Sequence, residues 1–294
     1  LTNFLNPERY ALRPLHNFFF TRDASVSIQN HVLINKMANK VRDRESWIMD
    51  TIFTHSKRVH GHTISPATEQ RQNPKITIEG GDILVARHDT LIVGLGMRTS
   101  AQGIDYIIDH LVPHTGIQHL IVQELPHTPE SFIHLDMVFT LLDHHKCMVF
   151  EPLILKSTRY QTIYIQIDNG KVTSIQHSSN LLAALKSIGI ELETVYCGGS
   201  KDPWIQEREQ WHSGANFFAF APGKIIGYER NIYTVEELSK HGFEVLKAND
   251  VIQQRIDLSR YSRCVVTIEG AELARGGGGA RCMTMPVRRE LLQV

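Results

Sequence analysis

Short runs of apolar residues, many of them β-branched, alternate along the chain with longer stretches that have a helical pattern. The short runs predict strands, the longer stretches predict helices, and their alternation indicates an α/β fold. The predicted helices cover residues 35–55, 101–111, 179–188 and 234–242. The predicted strands cover residues 83–86, 90–95, 118–123, 137–142, 162–167, 216–221, 225–228 and 264–268.

Two local signals add detail to this pattern. The last predicted helix opens with Thr234-Val-Glu-Glu237, which matches a capping box, and ends at Gly242, a residue type that favours helix ends. Residues 57–74 are polar and include two prolines, so we predict a long surface loop there.

The chain also contains internal repeats. Gly81 and Gly94 flank two apolar runs, and Gly214 and Gly227 flank another two; both glycine pairs are thirteen residues apart, and a predicted helix follows each. In addition, Thr-Ile-Glu-Gly occurs at residues 77–80 and again at residues 267–270. Repeated strand–turn–strand–helix units predict a pseudo-symmetric fold whose equivalent loops gather at one face.

The bulk composition sets limits on fold and partners. At 294 residues with 42% hydrophobic content, the chain is predicted to form a single domain over residues 1–294. Lys+Arg and Asp+Glu are equal at 31 each, and apolar stretches are short, so neither nucleic acid nor a membrane is an expected partner. The four cysteines are scattered without close pairs, which indicates a reducing compartment and no cysteine zinc site.

One cysteine stands in an unusual setting. Cys282 follows the glycine run at 276–279 and is flanked by Arg275 and Arg281. Glycines let the backbone approach a substrate closely, and nearby positive charge is expected to lower the pKa of a thiol and favour the reactive thiolate. From these residues alone, a catalytic cysteine and a buried structural thiol are equally good interpretations.

Three upstream segments add acids and an imidazole. They are Thr21-Arg-Asp23, Glu79-Gly-Gly-Asp82 and His134-Leu-Asp136. On a strand, His134 and Asp136 would point to the same face and address one pocket. Each segment also has a simpler interpretation as a strand end or a surface turn. Together with Cys282, however, they provide the groups needed to attack a cationic, planar carbon centre.

These segments belong to a set of seven motifs that occur in the same order in a known protein family. The set extends over nearly the whole chain. Their combination closely resembles bacterial arginine deiminase. The resemblance implies an α/β propeller of five pseudo-repeated ββαβ units around a central active site. The motifs are Asn17-Phe-Phe-Phe-Thr-Arg-Asp23, Glu79-Gly-Gly-Asp82, Gly96-Met-Arg98-Thr-Ser, His134-Leu-Asp136, Arg208-Glu-Gln-Trp211, Tyr228-Glu-Arg-Asn231 and Arg281-Cys-Met-Thr-Met-Pro286.

The resemblance assigns roles to the catalytic residues. Cys282 would attack the guanidinium carbon of L-arginine, while Asp23 and Asp136 would hold the guanidinium nitrogens. His134 would protonate the departing ammonia, leaving a covalent thiouronium, and would then act as base for the water that releases citrulline. Glu79 would orient His134 and stabilise its charged form.

The resemblance also implies a substrate-binding set and a cellular setting. Arg42 and Arg98 would bind the substrate α-carboxylate, and Asn17 and Phe20 would complete the wall of the site. No metal or organic cofactor is expected. The family resemblance further implies a cytoplasmic hydrolase of arginine catabolism that assembles as a homodimer or homotetramer.

The chain departs from the family pattern at two places. Family members begin with another propeller unit and carry a helical insertion before the Phe-Thr-Arg-Asp segment, so we expect the complete polypeptide to be longer. Most relatives also have Arg-Gly-Arg-Gly-Gly before the cysteine, and here Gly277 replaces the second arginine. This replacement raises the question of how the cysteine loop is held.

Other functions share these residues. Agmatine deiminase, dimethylarginine hydrolase and amidinotransferase use the same cysteine, histidine and acids, but agmatine has no carboxylate to meet Arg42 and Arg98. A non-catalytic arginine-binding protein would keep the site and lose turnover. A thiol protease is disfavoured, because the acids outnumber what that chemistry needs and no glutamine-type oxyanion donor precedes the cysteine.

Overall fold

A repeated ββαβ unit organises the chain. The computed structural model describes residues 4, 14–59, 61–66, 73–287 and 289. In the first unit an antiparallel hairpin is followed by a helix and then by a strand parallel to the second strand of the hairpin. The elements of this unit are β1 (Ser25–Ile28), β2 (His31–Ile34), α1 (Asp43–His55) and β3 (His62–Ile64).

Three further units repeat this order. The second comprises β4 (Ile83–Arg87), β5 (Thr90–Leu95), α2 (Ala101–Tyr106) and β6 (His119–Glu124). The third comprises β7 (Phe139–Leu141), β8 (Lys146–Val149), α3 (Glu151–Ile154), an inserted hairpin of β9 (Thr162–Asp168) and β10 (Lys171–Ser178), α4 (Leu181–Ser187) and β11 (Glu193–Tyr196). The fourth comprises α5 (Pro203–Trp211), β12 (Phe218–Ala221), β13 (Lys224–Tyr228), α6 (Ile232–Lys240), β14 (Glu244–Lys247), α7 (Ala248–Ile252) and β15 (Cys264–Ile268).

The sheets have related strand orders. The first and third run β1-β2-β3 and β11-β8-β7. In the second, the inserted hairpin joins the edge, giving β10-β9-β6-β5-β4, and in the fourth β15 lies between β13 and β14, giving β12-β13-β15-β14. The predicted pseudo-symmetry is therefore present: the two glycine-flanked repeats form the hairpins β4–β5 and β12–β13, and a parallel strand follows each.

The cores lie on the faces of these sheets. Strand β5 is buried on both faces: Leu91 and Val93 pack into one apolar cluster and Ile92 into another. A strand with two buried faces reads as a continuous apolar run, which is why the sequence predicts it well. No helix in the described part of the chain is both long and apolar enough to cross a membrane.

Several predicted elements begin later than expected: the helix predicted over 179–188 begins at Leu181, the strand predicted over 216–221 begins at Phe218, and two others show the reason. The helix predicted over 35–55 begins at Asp43, after a 3-10 turn over Lys40–Arg42. Residues 35–36 are held by bonds to other segments: Asn35 donates to the carbonyl of Ala24, and the carbonyl of Lys36 accepts from Ile78. The strand predicted over 137–142 begins only at Phe139, after a 3-10 turn over Leu135–Met137. These backbone bonds are tertiary, so local periodicity does not report them.

Two further predictions were wrong in detail. The N-cap of α6 is Asn231, so Thr234 lies inside the helix and is not a capping residue. Its hydroxyl instead donates to the buried carboxylate of Glu209. The segment 57–74 is not only a loop, because His62–Ile64 forms β3; residues 60 and 67–72 of that prediction lie outside the described residues.

The contact between α6 and α5 gives a stability prediction. Both the backbone N–H and the hydroxyl of Thr234 donate to Oε2 of Glu209, at 3.1 and 2.9 Å. We expect Thr234→Val to lower the free energy of unfolding by about 2 kcal/mol, because a buried carboxylate loses a charge-assisted donor. Urea denaturation measures the change. Thr51→Val, at an exposed position of α1, is the matched control and should stay within about 0.5 kcal/mol; equal effects of the two substitutions would contradict the prediction.

Candidate active site

The repeated unit brings the chemically active residues together. Asp23 lies just before β1, Glu79 before β4, and His134 and Asp136 before β7, so each unit contributes from the same place. Cys282 follows β15, and its loop packs against these segments. All five side chains are buried. The expectation that equivalent loops gather at one site is thus met. His134 directly precedes a 3-10 turn and Asp136 lies within it, so neither residue lies on a strand.

His134 is held by carboxylates. Its Nε2 lies 2.9 Å from Oε2 of Glu79, and its Nδ1 lies 3.7 Å from Oδ1 of Asp23. Burial alone would lower the pKa of His134, but the charges of Asp23 and Glu79 outweigh burial and raise the pKa to about 10. The imidazole is therefore protonated at neutral pH and can serve as a proton donor.

The Cys282 backbone is fixed on both sides. Its N–H donates to the side chain of Asn216 at 3.3 Å, and its carbonyl accepts from the backbone of Arg22 at 3.1 Å. The thiol sulfur lies 3.8 Å from Oδ2 of Asp136. These contacts aim the thiol into the acidic cluster.

The thiol is protonated in this environment. Burial raises the pKa of Cys282 well above its usual range, and the charges of Asp136 and Asp23 raise it further. Arg281 lowers it only partly, and Arg275 is exposed and paired with Glu272. The expectation that flanking arginines lower the thiol pKa is therefore wrong for this arrangement, since carboxylates and burial dominate.

Two buried carboxylates each keep one oxygen without a hydrogen bond. Oδ2 of Asp23 pairs with Arg42 at 2.8 Å and Oδ2 of Asp136 pairs with Arg281 at 2.7 Å. The Oδ1 atoms of both aspartates have no hydrogen-bond partner. A buried acceptor without a donor is unfavourable, so these two oxygens are suited to a ligand that carries several N–H donors and a positive charge.

The two predicted carboxylate-binding arginines differ in their surroundings. Arg42 is buried and holds Glu45 through two nitrogens as well as Asp23. Arg98 is less buried, lies 3.5 Å from Glu79, and lines a cavity. Arg98 is thus available to a ligand, whereas Arg42 would have to exchange a partner to reach one.

The predicted wall residues lie at the same place. Phe20 is buried against Cys282 and Met137. The carbonyl of Asn17 accepts from the backbone N–H of Phe20 at 2.9 Å and lies 3.5 Å from Nη2 of Arg42. The glycine run before the cysteine packs against the Phe20 ring: a Cβ at Gly278 would lie 2.6 Å from it.

A cavity of about 620 Å³ adjoins the nucleophile. Met137 and Ile133 belong both to the cavity wall and to the apolar cluster around Cys282. Trp211 and the loop carrying Arg275 form other parts of the wall. Of the predicted site residues, Arg98 lines this cavity, and Met137 and Ile133 lie between the cavity and the cluster around Cys282.

The structure shows how the cysteine loop is held with Gly277 in place of arginine. Gly277 has a φ of +81°, a left-handed conformation that favours glycine. The loop is anchored by other groups: the hydroxyl of Tyr228 donates to the carbonyl of Gly278 at 3.0 Å, and Asn216 accepts from the N–H of Arg281 at 2.9 Å.

Asp23, Glu79 and His134 are also spaced as a metal site would require, because one ligating atom from each lies within 4.8 Å of the others. Arg42 and Arg98 face the same carboxylates and already provide positive charge. The prediction that the site uses no metal stays a prediction.

Several residues of the site were missed from the sequence. Arg22 and Tyr228 lie within quoted motifs but received no role, and Arg281 was considered only for its effect on the pKa of the thiol. Asn216 was placed only at the start of a predicted strand. The internal repeat could have identified it, because Asn216 follows Gly214 much as Asp82 follows Gly81.

Solved structures of two other proteins have the same fold as this chain. The N-terminal domain of ArgZ, described as an arginine dihydrolase from cyanobacteria and bound to substrate, matches with a TM-score of 0.61 and 17% identity over 94% of this chain and 78% of that chain. DDAH from Pseudomonas aeruginosa, complexed with citrulline, matches with a TM-score of 0.56 and 16% identity over 92% and 76%. This chain therefore has the same fold as these two enzymes.

Sequence comparison identifies the family. Residues 3–289 match the arginine deiminase family, and the chain belongs to it. Arginine deiminase of Mycoplasma capricolum is 36% identical over 283 residues, which are 95% of this chain and 63% of the relative. That of Bacillus cereus strain ATCC 10987 is 34% identical over 287 residues, 96% of this chain and 64% of the relative. The chain therefore spans slightly less than two thirds of the length of these relatives.

The surroundings of His134 lead to a titration prediction. Because its folded pKa of about 10 lies above the ordinary value of 6.5, protonated His134 stabilises the fold; this contribution is fully present below pH 6.5 and is lost as pH rises through about 10. Nitrogen NMR of histidine-labelled protein, with His134→Asn for assignment, should show a ring that stays charged between pH 7 and 9. Glu79→Gln should lower the midpoint. A wild-type midpoint near 6.5 would contradict the prediction.

Proposed function

We propose that this site hydrolyses the guanidinium group of free L-arginine to L-citrulline and ammonia through a covalent thiouronium on Cys282. One observation carries the proposal. The Oδ1 atoms of Asp23 and Asp136, which accept no hydrogen bond, lie in the same buried site as a thiol and a protonated imidazole. Membership of the arginine deiminase family supports it, as do the ArgZ structures bound to substrate, product and a reaction intermediate.

Substrate binding would activate the nucleophile. A guanidinium held by Asp23 and Asp136 places positive charge beside the two carboxylates that raise the pKa of Cys282. The pKa of the thiol therefore falls when the substrate is bound, and the thiolate forms where it is needed. Binding and activation are linked through the same two carboxylates.

Attack and release then follow from the surrounding groups. The Cys282 sulfur bonds to the guanidinium carbon, and protonated His134 donates its proton to the nitrogen that leaves as ammonia. The neutral imidazole next takes a proton from water, which adds to the thiouronium carbon. The C–S bond then breaks and the hydroxyl proton of the intermediate passes to the departing sulfur, which gives citrulline and restores the Cys282 thiol. The proton that the thiol loses when the substrate binds goes to solvent. Glu79, 2.9 Å from His134, favours the imidazolium in both half-reactions.

Arg98 favours arginine over agmatine as substrate. Its guanidinium lines the cavity next to the site, and its Nη1 lies 3.5 Å from Oε2 of Glu79. The α-carboxylate of arginine would pair with it, whereas agmatine offers no such group. The second candidate function is arginine binding without turnover. It uses the same contacts, but Cys282 does not react with the bound arginine.

We also propose a cytoplasmic location and a homo-oligomeric state, either a dimer or a tetramer. The location is supported by the four cysteines, which are all unpaired, as expected in a reducing compartment. The oligomeric state rests on the family resemblance. The activity is proposed for the protein as a whole, and the chain spans slightly less than two thirds of the length of the relatives named above.

The test of function is product formation from candidate substrates. Purified protein should release citrulline and ammonia from L-arginine and should turn over agmatine and dimethylarginine at least about a hundredfold more slowly. Cys282→Ser should abolish turnover, while Cys147→Ala, a buried thiol in β8, should retain it. Thermal stabilisation by arginine without citrulline would support the binding-protein alternative. Preferred turnover of agmatine would contradict the role of Arg98.

A second prediction concerns charge-dependent alkylation. A cationic haloacetamidine should modify Cys282 at least about tenfold faster than neutral iodoacetamide at pH 7.5, because the cation offsets Asp23 and Asp136 and lowers the thiol pKa. Asp23→Asn should remove much of this preference. Mass spectrometry of the labelled peptide follows both rates. Equal rates with the two reagents in the wild-type protein would contradict the proposed activation.

A further inference from the structure

Asn216 is the fourth unit's counterpart of the acidic residues. It lies just before β12, at the place where the other units carry Asp23, Asp82 and Asp136 before their first strands. Its side chain is 1% exposed, and it is an amide where the others are carboxylates. The repeat thus places a neutral polar group nearest the cysteine loop.

The amide joins two segments of the site. Its Oδ1 accepts from the backbone N–H groups of Arg281 at 2.9 Å and Cys282 at 3.3 Å. Its Nδ2 donates to the carbonyl of Asp136 at 3.1 Å. These partners are 65, 66 and 80 residues away in sequence. One side chain therefore links the nucleophile to the carboxylate that faces it.

The packing around this amide leaves little freedom. A Cβ at Gly279 would lie 2.5 Å from Oδ1 of Asn216 and 2.6 Å from its Cβ. Met137 contacts the amide through its sulfur, 3.7 Å from Nδ2. The cysteine loop is thus pressed against Asn216 on one side while Arg22 holds the carbonyl of Cys282 on the other.

Only an amide fits this set of partners. The Asp136 carbonyl needs a donor and the two N–H groups need an acceptor, and a neutral side chain with both is asparagine. A carboxylate would accept from Arg281 and Cys282 but could not donate to Asp136. It would also add a negative charge beside a thiol whose pKa is already raised by carboxylates.

We propose that Asn216 is a positioning residue that fixes the Cys282 thiol relative to Asp136 for attack on the guanidinium carbon. The inference rests on the proposed function. Asn216 acts through the backbone of the cysteine loop, so its loss displaces the thiol while the Oδ1 atoms of Asp23 and Asp136 continue to bind the cation. Small displacements of a reacting atom cost large factors in rate, because attack requires a narrow range of distance and angle.

The experiment compares three variants. Asn216→Ala removes all the side-chain bonds, Asn216→Asp keeps the shape and the acceptor, and Asn231→Ala is the control. Asn231 is also a 1% exposed asparagine of the fourth unit, but it donates to the carbonyl of His212. Urea denaturation first establishes that each variant is folded, and rates are measured only on folded protein.

Two readouts separate positioning from simple packing. We expect Asn216→Ala to lower kcat for arginine at least about tenfold with a change in KM of less than threefold, and to slow amidine alkylation of Cys282 by a similar factor. Asn216→Asp should raise the pH of half-maximal alkylation, and Asn231→Ala should alter neither readout. Wild-type-like kcat and alkylation in folded Asn216→Ala would overturn the inference, as would an equal loss in Asn231→Ala.

The alkylation arm keeps this test independent of substrate identity. If the wild-type protein does not turn over arginine, the proposed function fails, but alkylation still reports the placement of the thiol. Slower alkylation in Asn216→Ala would then support the positioning role without the arginine reaction. Unchanged alkylation would overturn it in either case.

Discussion

Buried charged groups need neighbouring groups of opposite charge, and this requirement determines the arrangement of side chains at the centre of the molecule. A buried carboxylate without a partner is costly, and several carboxylates at one place repel each other. Asp23, Glu79 and Asp136 are nevertheless all buried here. Arg42, His134 and Arg281 supply the compensating charge.

The compensation of the buried negative charge is incomplete, and this suits the site to a cationic ligand. Each of the two aspartates satisfies one oxygen within the protein and leaves the other without a donor. The two oxygens without a donor destabilise the folded protein, and a bound planar cation with several N–H groups removes this destabilisation. Burial and the charges of the same two aspartates raise the pKa of the Cys282 thiol, which is therefore protonated. Affinity for a cation and control of the nucleophile are consequences of one electrostatic arrangement.

Some of the fold was readable from local pattern. Both ends of β5 and β15 were predicted, because each is a short apolar run that is buried in the middle of a sheet. Strands with mixed composition, such as β8 and β14, were missed because their partners, and not their own sequence, make them strands. The start of α1 was wrong for the same reason: bonds to Ala24 and Ile78 hold residues 35–36 outside the helix.

The site was predicted less from spacing than from resemblance. Cys282, His134 and the acids were candidates from chemistry alone, but only the ordered motifs made them one site. The role of Asn216 and the ion pair of Arg281 with Asp136 were missed, because these contacts join residues 65 to 145 positions apart. The thiol pKa was predicted in the wrong direction, since sequence neighbours showed the arginines and not the facing carboxylates.

The inserted hairpin of the third unit has a consequence for how the protein unfolds. Strand β9 pairs along β6 over residues 119–123, so a segment encoded between β8 and β11 completes the sheet of the second unit. The third unit cannot detach without removing a neighbour's strand. We therefore expect these two units to lose protection against hydrogen exchange together, as one cooperative block.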